Sequence, residues 1–206
     1  MGEQAWRGGA VVAQDLLSAA SFFGLILPGG ATVGEAIRSR LEKRRREAIN
    51  VLISRIAQGE RAGIVFGEED ADDFIATMLR FRDAVEKGTA TENLDLLSKV
   101  IVGLKRNRLF EYDRFQKWCT ILESLTRDEI LFIGAAYRVI PTPQSPPFWE
   151  GVRTQLAGTF SNDEVESLAA ALTRTGLIIP LGALSGTTYV STERLKELGD
   201  LALQNA

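Results

Sequence analysis

LTRTGLIIPLGALSGTTYVSTERLKELG, residues 172–199, decides the class of this chain. Gly176 follows a helical run, and glycine just past the last periodic residue is a common helix stop. Leu177–Leu181 and Thr187–Val190 are short, apolar and β-branched, so they are expected to form two strands joined through Gly182 and Gly186. Ser191 then opens a final helix to Leu203. Elsewhere apolar residues recur at helical spacing. The expectation is a mainly α chain with one small two-stranded wing near its C-terminus.

Working back from the hairpin, Ser161-Asn-Asp-Glu164 and Thr126-Arg-Asp-Glu129 are capping boxes, in which the hydroxyl and the carboxylate each satisfy an orphan N–H at a helix start. The first opens a helix with Val165, Leu168, Ala169 and Leu172 inward. The second opens one carrying Ile130, Ile133, Ala136 and Tyr137. Between them, Pro141–Pro147 interrupts all helix, because proline fixes φ and donates no N–H. Phe148-Trp149 follows, either as an exposed partner patch or as the anchor of this linker on a core, the reading we favour. Residues 126–206 thus form a small C-terminal domain, and residues 1–125 an N-terminal one.

The N-terminal part reads as a helical bundle with short antiparallel connections. A long helix is expected over residues 31–57, closed by Gly59, with Ile37, Leu41, Ala48, Leu52 and Ile56 as its stripe. Ile49, Val51 and Ile53 make its second half apolar on most sides and place it centrally. Helices follow over 68–87, with Phe74, Met78, Phe81 and Val85 inward, over 91–108, with Leu94, Leu97, Ile101 and Leu104 inward, and over 112–125. Glu68–Asp73 crowds a helix start, where carboxylates meet the positive end of the dipole. It lacks the alternating ligands and glycine of a calcium loop.

The C-terminal order of helices, Gly-Leu-Ile strand, wing, strand and polar helix start resembles winged-helix domains over about 80 residues. That resemblance implies DNA binding in many families and protein binding in others. The residues argue against DNA here. The helix before the wing carries Asp163, Glu164 and Glu166 against Arg174 alone, and Gly182–Thr188 has no Lys or Arg, whereas duplex binding draws on basic groups that reach phosphates. The whole chain is also similar in organisation to bacterial abortive-infection alpha-like and related prophage defence proteins, through Phe22–Gly34, Arg38–Arg46 and Leu94–Leu104. This implies a phage-defence setting.

Composition narrows function further. The chain has no His and one Cys, Cys119, which excludes Ser-His-Asp and Cys-His catalysis and most zinc sites. No cofactor, metal or catalytic constellation is expected. The net charge of −3 hides an uneven distribution: residues 31–58 carry seven basic and three acidic groups, and residues 126–206 carry six and nine. The candidate partner-binding residues are therefore Arg38, Arg40, Lys43, Arg44, Arg45 and Arg46. Their partner would be an acidic protein surface or an anionic membrane, nucleic acid being disfavoured and self-association remaining open.

Just before them lies the uncharged run Leu16–Gly34. Its apolar centre supplies the membrane-contact candidates Phe22, Phe23, Leu25, Ile26 and Leu27. Pro28-Gly29-Gly30 shortens it as a span, so a cytoplasmic chain with a buried Ala10–Leu27 helix is expected, and membrane association is the alternative. The functional expectation is a non-enzymatic bacterial or phage interaction or regulatory protein. The alternatives are a membrane-associating effector and a DNA-binding regulator.

Overall fold

A computed structural model describes residues 33–140, 147–183 and 186–202. The chain is mainly α, with eight α-helices and one two-stranded antiparallel sheet among those residues. It divides into two compact units, the first ending at Glu123 and the second starting at Ser124. The apolar residues Phe22, Phe23, Leu25, Ile26 and Leu27, the Ala10–Leu27 helix and residues 141–146 of the proline segment lie outside the described residues.

The first unit contains α1 (Val33–Arg61), a 3₁₀ turn at Glu68–Asp70, α2 (Ala71–Glu86), α3 (Thr91–Arg106) and α4 (Tyr112–Glu123). Its centre is α3 rather than α1. Leu97, Val100, Ile101 and Leu104 of α3 are 0% exposed, whereas Ile49, Val51 and Ile53 of α1 are only half-buried. A single stripe of α1, Ala48, Leu52 and Ile56, is buried, so its extra β-branched residues line the flanks of that contact. Gly59 does not close α1, as expected from the sequence, but sits inside it. A Cβ there would stand 2.9 Å from Val102 Cγ1, so the missing side chain lets α1 lie close against α3.

The second unit contains α5 (Arg127–Arg138), α6 (Phe148–Leu156), α7 (Asn162–Leu172), a 3₁₀ turn at Thr173–Thr175, β1 (Ile178–Ala183), β2 (Gly186–Ser191) and α8 (Glu193–Ala202). Both capping boxes form: Glu129 N–H donates to Thr126 Oγ1 at 3.2 Å and Glu164 N–H to Ser161 Oγ at 3.3 Å. Gly176 turns the chain out of the 3₁₀ segment at φ 69°. The strands pair Ile179 with Val190 and Leu181 with Thr188. Thr192 holds the base of the hairpin, its N–H donating to Leu177 O at 3.1 Å and its hydroxyl to Gly176 O at 2.8 Å.

Phe148 and Trp149 are buried in this unit, so they are an anchor and not an exposed patch. The Trp149 ring lies 4.8 Å from Tyr189 and 6.5 Å from Phe132, tying the start of α6 to β2 and α5. Aromatic pairs at such separations add about 0.5–1.5 kcal/mol beyond their buried area.

Candidate functional site

The basic run of α1 splits into two sets. At about 100° per residue, Arg40, Lys43 and Arg46 fall within one arc opposite Ala48 and Leu52, and Arg44 and Arg45 flank the apolar stripe. The contacts follow that geometry. Arg44 Nη2 donates to the Thr89 carbonyl, and Arg45 pairs with Glu86 at 3.4 Å, both half-buried against neighbouring helices. These two arginines already have partners within the first unit. Arg40, Lys43 and Arg46 are exposed, with Lys43 reaching Glu47 at 3.8 Å in a surface pair worth little in energy. Arg38 lies in α1 with its side chain outside the described set. Of the six candidates, three therefore present one exposed cationic face.

In the second unit, the one basic residue between the start of α7 and the hairpin, Arg174 of the 3₁₀ turn, is already engaged. Arg174 clamps Glu129 with both terminal nitrogens, Nη2 at 2.9 Å from Oε2, and also donates to Ser124 O at 3.0 Å. Glu129 is 3% exposed. The Arg174 guanidinium first, then the N–H of Thr126, hold its carboxyl below the usual range, against the opposing effect of burial. Asp163, Glu164 and Glu166 stay exposed on α7. On the hairpin, Ile179 and Leu181 are 45% and 46% exposed. They sit two apart on one strand, so they share a face, with Val190 opposite Ile179.

The acidic run is used in the fold. Asp70 accepts Gly67 N–H at 2.7 Å and pairs with Lys105, and Asp73 accepts Tyr112 N–H at 2.9 Å at the start of α4. Among the described residues no group of three His, Cys, Asp or Glu side chains could hold a metal, and no helix is long and apolar enough to cross a membrane. Cys119 is buried, its Sγ–H donating to Glu123 Oε1 at 3.3 Å. Burial first, then the Glu123 charge, push its thiol up to about 12. Native protein at pH 8 is therefore expected to resist iodoacetamide at Cys119 and to react quickly once unfolded in urea. Alkylation of the folded protein at the rate of a free thiol would contradict this placement.

One site has no counterpart in the motifs read from the sequence. α1, α2 and α3 all end in the same hydrogen-bond pattern, a 6→1 bond with a 5→2 bond inside it: Ile64→Gly59 with Gly63→Glu60, Thr89→Ala84 with Gly88→Val85, and Leu109→Leu104 with Arg108→Lys105. The pattern needs a left-handed residue, usually glycine. Gly63 and Gly88 supply it at φ 82° and 90°, but the third position is Arg108 at φ 58°. A side chain in that conformation costs about 1–2 kcal/mol. Arg108 lines a cleft of about 460 Å³ together with Gly63, Val65, Lys105, Arg106 and Phe110. The sequence signal is an arginine in Lys105-Arg-Asn-Arg108 where a helix stop calls for glycine.

No family model matches this chain, and no curated protein or solved structure was found to be similar to it.

Proposed function

We propose that this chain is a non-enzymatic interaction protein, of bacterial or phage type, that works by holding protein partners in a regulatory or defence setting. The apolar hairpin face of Ile179 and Leu181 carries the reading. Two large aliphatic side chains exposed to water on one face of a two-stranded ribbon favour packing against a protein surface. As the wing of a winged-helix domain, this hairpin would have no basic residue from Gly182 to Thr188. Arg174 is committed to Glu129, and the exposed charges of α7 are acidic. These features favour protein over duplex DNA, whose phosphates would face carboxylates. The second contact would be the cationic face of Arg40, Lys43 and Arg46, meeting an acidic protein surface.

The test is affinity capture with wild type, with Ile179→Asp/Leu181→Asp and with Arg40→Glu/Lys43→Glu/Arg46→Glu. All five positions are exposed, so each variant is expected to melt within a few degrees of wild type, surface changes typically costing no more than about 0.5 kcal/mol each. Loss of a common set of captured proteins in both variants is the expected result. The same set captured by all three proteins would overturn the proposal. So would a salt-dependent shift of random duplex DNA by the wild type.

A further inference from the structure

We infer that the cleft beside Arg108 binds a small phosphate monoester. Three observations converge on it. First, Arg108 occupies the left-handed position that glycine fills at the ends of α1 and α2, so the backbone gains nothing from an arginine there. An outlier of this kind points to a role for the side chain. Second, no hydrogen bond or ion pair of the Arg108 guanidinium occurs among the described residues. The neighbouring cation is differently placed: Lys105 pairs with the buried Asp70 and lies 3.5 Å from Glu69, so its charge is largely met inside the protein. Asp70, whose carboxylate Lys105 neutralises, also lines the cleft with Arg106, and Arg108 is the cation of the lining that carries the inference.

Third, the cleft has the size and walls of a small-molecule site. Its volume of about 460 Å³ lies within the range of ordinary ligand pockets. Ile64, Val65 and Phe110 give it an apolar wall, and the Phe110 ring is fixed at 5.0 Å from Phe66. A doubly charged head with a small apolar body matches this mostly polar lining. A planar guanidinium donates two parallel N–H bonds to a phosphoryl group, which an ammonium cannot do. The ligand class is therefore a phosphate monoester with an apolar or flat body.

The test uses the full chain and three probes: phenyl phosphate, inorganic phosphate, and phenol as the uncharged control. Binding is read by isothermal titration at low salt. Wild type is expected to bind phenyl phosphate at roughly millimolar affinity or tighter, more tightly than inorganic phosphate, and to leave phenol unbound. Arg108→Gly is expected to weaken phenyl phosphate about tenfold or more. The same variant is expected to melt above wild type without ligand, since glycine relieves the left-handed strain. Its loss of binding then cannot be unfolding. Arg108→Lys keeps the charge but not the fork, and is expected to fall between the two. The inference is overturned if wild type shows no saturable binding, if phenol binds as well as phenyl phosphate, or if Arg108→Gly binds like wild type.

Discussion

Replacing Arg80 by leucine is expected to destabilise the protein by about 2–4 kcal/mol, because it strands a largely buried carboxylate. Arg80 of α2 grips Glu123 at the end of α4 with two parallel bonds, at 2.5 and 2.7 Å, and its Nε donates to Gln116 at 2.8 Å. The side chains are 11% and 16% exposed, so water screens them little. The Glu123 hydrogen bond raises the Arg80 pKa, against burial, which lowers it. Cys119 also donates to Glu123, and a thiol is too weak a donor to hold the carboxylate alone. The double variant Arg80→Leu/Glu123→Leu is expected to recover most of the loss. Desolvation offsets much of the attraction in a buried pair, and two leucines replace both costs. Urea unfolding of the four proteins measures the cycle, with a coupling of about 2–3 kcal/mol expected. A single variant costing under about 1 kcal/mol, or a double variant as damaged as the sum of the singles, would refute the assignment.

That pair marks a boundary of what the sequence makes legible. The 3.6-residue period picks out Leu94, Leu97, Ile101 and Leu104, all buried to within 1%, because each helix shows its core stripe locally. The hairpin is legible too, since glycines and β-branched runs act over a few residues. The pairing of Arg80 with Glu123, 43 positions apart, leaves no local trace, because neither residue has a spacing that names the other. The same limit applies to the basic helix. Counting charges joins Arg38 to Arg46 into one feature, and only the packed neighbours, Thr89 and Glu86, show that Arg44 and Arg45 already have partners. Gly59 misleads for a related reason. Glycine next to a helix end signals a stop, but a glycine under a facing side chain, here Val102, signals close packing, and the sequence does not distinguish the two.

The two capping boxes carry this furthest, since identical motifs are expected to differ in weight. Glu129→Gln is expected to cost about 1–2 kcal/mol at pH 7, because it removes the charge that a buried carboxylate offers the half-exposed Arg174, whose solvent contact screens the pair, as well as weakening a cap. Glu164→Gln is expected to cost far less. Glu164 is held below the usual carboxylate range by Ser161 N–H, but it is fully exposed and meets no arginine. The pH dependence separates them further. Glu129 has a folded pKa below its unfolded value of 4.5, so its contribution is fully present above pH 4.5. It is lost as pH falls through the folded pKa, where the native carboxylate finally takes up its proton. A protonated Glu129 is as uncharged as the glutamine that replaces it, so the stability gap between wild type and Glu129→Gln should close over that acidic range. Urea unfolding of both proteins from pH 7 to about pH 3 tests the sign. A gap that stays constant or widens on acidification would mean that the Arg174 clamp is not what lowers the Glu129 pKa.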